Sequence, residues 1–335
     1  MKLLVCGGAG FIGSNFVRIR LREHGDDVVV LDKLTYAGRE ENLADVREEA
    51  GPRFRFVHGA IEDPAAVADA IAGCDALVNF AAETHVDRSI DDPEQFIVTQ
   101  MQGTHTLLEA ARALGCRYVQ VSTDEVYGSI DEGSFTESSP LDPSSPYSAT
   151  KAGADLLVAS YWHTFGLEAT IVRGSNNYGP YQYPEKLIPL MVLNALHGDK
   201  LPVYGDGLNV RNWIWAEDFA RAIGTGFEQG APGEAYNAGG PDESTNIEVV
   251  RRILDLTGQD ESLIEYVTDR PGHDRRYSLA SEKLRALGWA PRVSFAEGIE
   301  RTVSWYRDNE WWWEPIRSGE YRAYYERQYG RTLGT

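Results

Sequence analysis

The run Lys2-Leu-Leu-Val-Cys-Gly-Gly-Ala-Gly-Phe-Ile-Gly13 decides the fold of this 335-residue chain. Its apolar first half predicts a buried β-strand, and an amphipathic helical pattern begins within its second half. Gly7, Gly10 and Gly13 fit a tight turn, close approach of a diphosphate to the backbone, and packing of the helix on the strand. The diphosphate would lie at the positive end of that helix. The run therefore predicts a dinucleotide-binding unit, and the alternative is a plain strand–turn–helix with incidental glycines.

Short apolar runs alternate with amphipathic stretches through the first half of the chain. The predicted strands are 2–6, 28–31, 53–58, 76–80, 118–122 and 169–173. The predicted helices between them are 11–24, 65–72, 93–114 and 147–165. Such alternation is typical of a parallel sheet with helices on both faces. We therefore predict an α/β protein with a Rossmann-type, doubly wound parallel sheet over residues 1–178.

The composition changes after residue 173, where Asn, Gly, Pro and Tyr become dense. Residues 176–184 indicate a loop, followed by predicted helices at 187–197 and 246–257 with a strand at 235–238 between them. This half predicts a smaller, discontinuous mixed α/β lobe over residues 179–330, with strands from about 205–240 returning to the main sheet. The lobe would close over the carboxyl edge of the sheet, where open α/β sheets bind ligands. The aromatic run 311–313 is expected to serve packing.

Composition restricts the possible partners. The net charge of −19 and the pI near 4.8 argue against nucleic-acid binding, which needs a basic face. Cys6, Cys74 and Cys116 lack the C-x-x-C spacing, so reduced, buried thiols are expected. The chain shows no signal-peptide pattern and no apolar stretch near the ~20 residues that span a bilayer. We expect a cytoplasmic protein with no membrane partner, and no metal, because Cys, His and Asp show no ligand spacing.

The end of the second predicted strand indicates which cofactor binds. Asp32 lies about twenty residues beyond the glycines, where a carboxylate can accept hydrogen bonds from both hydroxyls of a ribose. The same charge would repel a 2′-phosphate, so NAD is favoured over NADP, and the neighbouring Lys33 weakens this argument without reversing it. Small side chains in Phe80-Ala-Ala-Glu83 would let the cofactor lie flat over the sheet edge.

Two motifs predict the chemistry. Tyr147 and Lys151, four residues apart on one helix, share a face, so the ammonium can lower the pKa of the phenol and make it a base for hydride-transfer chemistry. The adjacent Asp124 and Glu125 add an acid and a base, which implies a further step such as elimination of water. Taken alone, the dipeptide could be an ordinary polar turn. Because adjacent residues of a strand point to opposite sides, at least one carboxylate must lie in a turn to share a substrate.

Four longer runs carry a family resemblance. They are Ala81–Ser89, Ser122–Gly128, Asn176–Gln182 and Arg270–Arg276. With the glycines and Tyr-x-x-x-Lys, they resemble the dTDP-glucose 4,6-dehydratase branch of the extended short-chain dehydrogenase/reductase family over nearly the full chain. Nucleotide-sugar epimerases share the glycines and Tyr-x-x-x-Lys but typically carry small residues where this chain has Asp124 and Glu125. The dipeptide therefore discriminates between a dehydratase and an epimerase.

The resemblance implies a role for many residues. The implied catalytic residues are Thr123, Asp124 (general acid), Glu125 (general base), Tyr147 (which starts the oxidation) and Lys151 (on the nicotinamide ribose). Those implied to contact NAD are Gly7, Gly10, Phe11, Ile12, Gly13, Asp32, Lys33, Leu34, Thr35, Ala60, Ile61, Phe80, Ala81, Ala82, Thr99, Tyr147, Lys151 and Asn177. Those implied to hold the nucleotide sugar are Thr84, Thr123, Asn176, Lys186, Leu187, Pro202, Tyr204, Arg211, Asn246, Arg270 and His273. The chain departs from the family at Ala60, where an acidic residue usually contacts the adenine.

The resemblance also implies a reaction and an assembly. Oxidation at carbon 4 of glucose would make the hydrogen at carbon 5 removable, water would leave from carbon 6, and NAD would be regenerated in an internal redox cycle. The product would be a 4-keto-6-deoxy sugar for deoxysugar biosynthesis. A homodimer is implied through helices 93–114 and 147–165, with Leu107, Leu108, Leu156 and Leu157 each available either for the interface or for packing on the sheet. Three alternatives stay open: a nucleotide-sugar 4-epimerase, another NAD-dependent sugar dehydratase and a non-catalytic NAD-sensing regulator. The base of the nucleotide, thymine or uracil, also stays open.

Overall fold

The computed structural model describes residues 1–269, 272–318, 325–326 and 329–330. The strands are β1 Lys2–Cys6, β2 Asp27–Asp32, β3 Phe54–His58, β4 Ala76–Asn79, β5 Arg117–Thr123, β6 Ala169–Gly174, β7 Asn176–Tyr178, β8 Leu201–Tyr204, β9 Val210–Trp215, β10 Ala235–Ala238, β11 Asp242–Thr245 and β12 Ile264–Val267. The helices are α1 Phe11–Ile19, α2 Ala44–Ala50, α3 Pro64–Ile71, α4 Val86–Asp91, α5 Pro93–Phe96, α6 Thr104–Leu114, α7 Pro146–Phe165, α8 Leu187–His197, α9 Ala216–Gln229, α10 Asn246–Thr257, α11 Glu282–Arg285, α12 Phe295–Asp308 and α13 Glu310–Ser318.

Seven strands form one parallel sheet in the order β10-β6-β5-β4-β1-β2-β3. The order reverses beside β1, because the chain runs outward to β2 and β3 on one side and to β4, β5, β6 and β10 on the other. Open α/β sheets bind ligands at such a switch point, outside the carboxyl ends of the strands. The prediction of an α/β, Rossmann-type parallel sheet is confirmed.

The sheet is buried on both faces, as period-two side-chain alternation requires. Leu3 and Val5 of β1 pack in a cluster with residues of α1 and α9, whereas Leu4 and Cys6 pack on the other face with residues of α3 and α6. All three cysteines are buried and unpaired, which confirms the expectation of reduced thiols. The core therefore packs against both faces of the sheet whose carboxyl edge carries the predicted site.

The predicted helix 93–114 divides into α5, a π-helical segment Ile97–Gly103 and α6. Gly103 explains the close approach of this helix to the chain after β3, since a Cβ there would lie 2.5 Å from the Cδ1 of Ile61. The approach brings Thr99 to the carboxyl edge of the sheet. Across the described ranges, no helix combines the length and the apolar character needed to cross a membrane.

The second half forms a lobe with its own core. Strands β11, β9 and β7 make a three-stranded sheet and β12 and β8 a parallel pair, covered by α8, α10, α12 and α13. Of the strands expected to return to the main sheet, β10 pairs with β6, whereas β9 pairs with β7 and β11 inside the lobe. The domain limits at 178 and 179 stay a prediction. Trp312 and Trp313 are buried, as expected for packing residues, but Trp311 is exposed.

Candidate active site

The glycine-rich turn joins β1 to α1 in the way its spacing predicts. Gly7 has a φ of +74°, and a Cβ there would lie 2.5 Å from the backbone nitrogen of Ala81. A Cβ on Gly13 would collide with the backbone oxygen of Gly7, so close packing of helix on turn depends on glycine. Gly10 caps the helix without a side-chain hydrogen bond, which leaves the amide groups of the first turn available to an anion.

Asp32 lies at the end of β2, directly beside this turn. Its carboxylate accepts hydrogen bonds from the backbone N–H groups of Ala9 and Leu34, each at 2.9 Å. Burial raises its pKa, while the two backbone donors act in the opposite direction. Lys33 extends the other way and donates to the hydroxyl of Thr99 at 3.1 Å. The arrangement fixes a carboxylate at the position where the sequence predicts contact with a ribose.

Asp124 and Glu125 lie on a 3₁₀ turn, Asp124–Tyr127, that begins where β5 ends. The hydroxyl of Thr123 accepts from the backbone N–H of Glu125 at 3.3 Å and caps this turn. This geometry is the turn that two neighbouring carboxylates need to face one substrate, as the sequence argument requires. The dipeptide is therefore displayed at the carboxyl edge of the sheet.

Asp124 is almost fully buried. Burial and the charge of Glu125 raise its pKa to about 8, against the opposing effect of Arg211. Its Oδ1 accepts from the hydroxyl of Thr123 at 3.2 Å, and its Oδ2 is buried without a partner among the described residues. A carboxyl with this pKa is protonated at neutral pH, the state that a general acid requires.

Tyr147 and Lys151 lie near the start of α7, which Ser145 and Ser148 close with a capping box. Both side chains are buried, and the Nζ of Lys151 donates to the carbonyl of Val121 at 2.6 Å. Burial lowers the pKa of Lys151 to about 8. The two motifs thus meet because α7 packs against the turn that follows β5.

The expectation that Lys151 lowers the pKa of Tyr147 stays a prediction, because the net pKa of the phenol reflects several other groups. Burial raises the pKa of the phenol far above its ordinary value, and the charges of Glu125 and Asp124 raise it further. The two carboxylates thus oppose the effect expected of the cation on the helix. A phenolate at Tyr147 therefore needs additional positive charge beside it.

One cavity of about 270 Å³ joins these groups. The predicted residues that line it are Gly7, Gly10, Phe11, Ile12, Gly13, Asp32, Lys33, Thr35, Ile61, Phe80, Ala81, Ala82, Thr84, Thr99, Thr123, Asp124, Glu125, Tyr147, Lys151, Asn176, Asn177 and Lys186. Turns after β1, β2, β4, β5 and β6 supply most of them, because the carboxyl ends of parallel strands share one edge.

Several residues implied to hold NAD or the nucleotide lie outside this lining. They are Leu34, Ala60, Leu187, Pro202, Tyr204, Arg211, Asn246 and His273, and Arg270 lies outside the described residues. Two of them meet in the lobe, where the rings of Tyr204 and His273 lie 6.2 Å apart. Arg211 is buried, and its guanidinium donates to the carbonyl of Asp274 at 2.9 Å. The roles of these residues stay predictions.

The sequence-based prediction missed six acidic or aromatic residues of the cavity wall: Tyr36, Glu62, Glu83, Tyr183, Glu185 and Phe219. Tyr36 donates to Glu185 at 2.7 Å, and Arg88 donates to the same carboxylate at 3.0 Å. Glu83 lay inside a quoted run, but Tyr36 and Glu185 are 149 residues apart and nothing in their spacing indicates a contact. In the described ranges, no three His, Cys, Asp or Glu side chains are grouped to hold a metal ion.

A switch-point cavity with a glycine-rich turn, a strand-end carboxylate and a Tyr-x-x-x-Lys helix defines a dinucleotide-dependent enzyme of the extended short-chain dehydrogenase/reductase class. The GDP-mannose 4,6 dehydratase family model matches residues 4–302. The chain belongs to this family of nucleotide-sugar 4,6-dehydratases, which confirms the resemblance predicted from the sequence.

Three known proteins illustrate the relationship. The chain is 52% identical over 326 residues to a dTDP-glucose 4,6-dehydratase of Streptomyces niveus, covering 95% of this chain and 96% of that protein. It is 55% identical to the dTDP-glucose 4,6-dehydratase DesIV of Streptomyces venezuelae, solved with NAD bound, with a TM-score of 0.92 and coverage of 94% and 100%. A UDP-glucose 4-epimerase of Thermus thermophilus shares the architecture at 31% identity, with a TM-score of 0.85 and coverage of 92% and 100%.

Proposed function

We propose that this chain is an NAD-dependent dTDP-glucose 4,6-dehydratase that forms dTDP-4-keto-6-deoxyglucose. The observation that carries the proposal is the turn that places Asp124 and Glu125 in the same cavity as Tyr147 and Lys151. An epimerase needs the oxidising pair but no second acid and base. The dehydratases that the chain resembles at about half identity support the same choice.

The protein fits a dinucleotide on structural grounds. Gly7 and Gly13 permit the tight turn before α1, where a Cβ at either position would collide with backbone atoms. The first turn of α1 leaves amide groups available to a diphosphate, and Asp32 lines the same cavity, where a ribose would end. When bound, NAD supplies the hydride acceptor, later the hydride donor, and a positive charge beside Tyr147. Thr99, Asn177 and Lys151 are the further cavity residues that we propose to hold it.

The first step depends on Tyr147. Its oxygen takes the proton of the sugar hydroxyl at carbon 4, and the ketone formed there acidifies the hydrogen at carbon 5. Within the protein alone the pKa of this phenol is raised, so positive charge from Lys151 and the bound cofactor must act on it. Thr84 and Thr123, both on the cavity wall, are proposed to orient the hexose.

The elimination step depends on the two carboxyl groups. Glu125 removes the proton from carbon 5, and Asp124 gives its proton to the departing hydroxyl at carbon 6, so that water leaves. The raised pKa of Asp124 keeps that proton in place at neutral pH. Two adjacent carboxyl groups hold opposite protonation states because each disfavours the charge of the other.

The remaining binding roles are proposals of the same kind. Asn176 and Lys186 line the cavity on the lobe side, where a diphosphate leaving the hexose would pass. Lys186 donates to the carbonyl of Thr84 at 2.6 Å and so connects the lobe to the turn after β4. Arg211 supplies a guanidinium whose charge already reaches Asp124.

Incubation of the purified protein with dTDP-glucose tests the function. We expect a product with the alkali-induced absorbance of a 4-keto sugar, without consumption of added dinucleotide. A 4-epimerase would give dTDP-galactose, and UDP-glucose used in parallel distinguishes thymine from uracil. Mass spectrometry of the ligand released by denaturation identifies the cofactor.

We further propose a cytoplasmic homodimer. Leu107 and Leu108 are completely buried against the sheet, which is the second of the two alternatives that the sequence left open for them. Leu156 of α7 is 62% exposed and Ile97 is 54% exposed, which leaves an apolar face on the two elements expected to pair. Sedimentation at micromolar concentration tests this, and a monomer there would contradict it.

A further inference from the structure

A buried ion pair lies beneath the catalytic helix. Asp155 follows Lys151 by one turn of α7 and is almost fully buried. Its Oδ2 accepts from the Nε of Arg173 at 2.8 Å and from the hydroxyl of Ser122 at 3.0 Å. The pair thus ties α7 to β5 and β6 directly under the carboxyl edge of the sheet.

Arg173 continues this connection to the carboxylate turn. Its NH1 donates to the hydroxyl of Tyr127 at 2.7 Å, and that hydroxyl donates to the Oδ1 of Asn237 at 2.9 Å. The guanidinium also lies 5.0 Å from the centre of the Tyr127 ring. Tyr127 is the last residue of the turn that begins with Asp124, so one set of hydrogen bonds supports both pairs of proposed catalytic residues.

The charge of Asp155 acts on Lys151. Burial of Lys151 lowers its pKa to about 8, and the negative charge of Asp155 opposes this effect. The ionisable groups that face this part of α7 from the packed strands and turn are Tyr118, Asp124, Glu125, Tyr127 and Arg173.

The ionisable groups on the helices packed against α7 are engaged elsewhere or exposed. Asp87 accepts from Tyr204, Arg88 pairs with Glu185, and Glu109 accepts from Tyr161 and pairs with Arg112. Asp91, Glu94 and His105 are exposed to solvent. Among the described residues, Asp155 is the one whose charge raises the pKa of Lys151, so it is the carboxylate placed to hold a proton there.

We propose that Asp155 is a positioning residue that keeps Lys151 in its ammonium form, and that Arg173 couples it to the Asp124–Tyr127 turn. A neutral lysine would remove positive charge beside Tyr147, whose ionisation the surrounding carboxylates already oppose. The consequence for turnover rests on the proposed function, whereas the effect on Lys151 itself does not.

The direct test is an NMR titration of protein labelled with ¹³C at the lysine ε carbons. The chain has six lysines, Lys2, Lys33, Lys151, Lys186, Lys200 and Lys283, so the Lys151 signal can be assigned by its loss in Lys151→Arg. The test variant is Asp155→Asn/Arg173→Gln, which removes both charges and leaves no unpaired ion in the core. We expect the midpoint of Lys151 to fall by about 1 pH unit or more.

Two controls separate charge from packing. Asp155→Glu keeps the negative charge, so the Lys151 midpoint should stay at its wild-type value. Ser122→Ala removes one hydrogen bond to Asp155 without changing the charge. An unshifted Lys151 midpoint in the double variant overturns the proposal. An equal shift in Ser122→Ala overturns it as well, because the hydrogen bond rather than the charge would then be responsible.

The kinetic arm measures single-turnover reduction of bound NAD by dTDP-glucose against pH. The alkaline limb should move to lower pH in the double variant by the same amount as the Lys151 midpoint. A uniform fall in rate with an unmoved limb means a structural role and overturns the link to chemistry. Failure of the wild-type protein to react with dTDP-glucose counts against the proposed function and leaves the NMR result standing.

Discussion

Replacing Asp124 by asparagine removes the acid of the elimination step while keeping the size of the side chain. Burial and Glu125 raise the pKa of Asp124 from 3.8 to about 8. At pH 7 such a group is protonated about nine times in ten, whereas at its ordinary pKa it would be protonated roughly once in 10³. Burial and the charge of Glu125 together therefore raise the fraction of protonated Asp124 at pH 7 by a factor of about 10³.

The expected result is a stalled intermediate. Asp124→Asn should still allow oxidation at carbon 4 and exchange of the hydrogen at carbon 5, but expulsion of water should slow by roughly 10²–10⁴. The 4-keto hexose and NADH then accumulate. Single-turnover absorbance of NADH, measured beside deuterium uptake at carbon 5 in heavy water, records both steps.

The matched variant is Glu125→Gln, on the same turn and of the same length as the natural residue. It should keep the cofactor reducible by substrate and lose exchange at carbon 5, because an amide does not accept that proton. Identical behaviour of the two variants, or normal exchange in Glu125→Gln, would refute the assigned roles and leave the pair as a structural turn.

Three further predictions follow from the same geometry. Gly13→Ala should weaken NAD binding more than tenfold in calorimetry and lower the free energy of unfolding by about 1–3 kcal/mol in urea, because the added Cβ would collide with the backbone of Gly7. The control for both measurements is Gly224→Ala in α9, where the nearest atom to the added Cβ would lie at 3.9 Å. Asp32→Asn should weaken NAD binding by about tenfold and reduce the ratio of NAD affinity to NADP affinity in titration calorimetry. Asp27→Asn, at the exposed start of β2, should change neither affinity. Because the pKa of Asp124 is higher in the folded protein, its protonation stabilises the fold fully below pH 3.8, and this stabilisation is lost as the pH rises to about 8. Asparagine does not titrate, so the free energy of unfolding of Asp124→Asn minus that of the wild type should grow by about 1 kcal/mol per pH unit across that window. A difference that stays constant with pH in urea melts would contradict this.

Local signals predicted the elements with clear periodicity and clear ends. Helices α8 and α10 begin and end where the sequence predicts, because Gly198 and Gly258 end them in the left-handed conformation and Thr245 with Glu248 forms a capping box for α10. The glycine-rich turn was predictable for a similar reason, since each glycine meets a local steric need.

Tertiary contacts were less predictable. Strand β9 has the same local pattern as a strand of the main sheet, and its partners, β7 and β11, decide its place in the lobe. The link between Tyr36, Arg88 and Glu185 joins three distant segments, so no spacing indicates it. The pKa of Tyr147 is raised first by burial and then by carboxylates from another element, neither of which the spacing of Tyr147 and Lys151 indicates.

The charges of the cavity connect the two proposed steps. Protonated Asp124 carries no charge, so the negative charges that act on Tyr147 are then those of Glu125 and Asp155, and its ionisation is easier than with Asp124 charged as well. Once Tyr147 has taken the proton from the sugar, it no longer needs to be ionised. Asp124 can then give its proton to the departing hydroxyl at carbon 6. The negative charge that Asp124 acquires lies near a neutral phenol and keeps that phenol protonated. The same repulsion that opposes oxidation when Asp124 is charged therefore favours the order oxidation first, elimination second. In Asp124→Asn this link is broken, so the fall in the oxidation rate near pH 8 should become shallower, because Lys151, whose pKa is also about 8, is then the one group of the two that still titrates there.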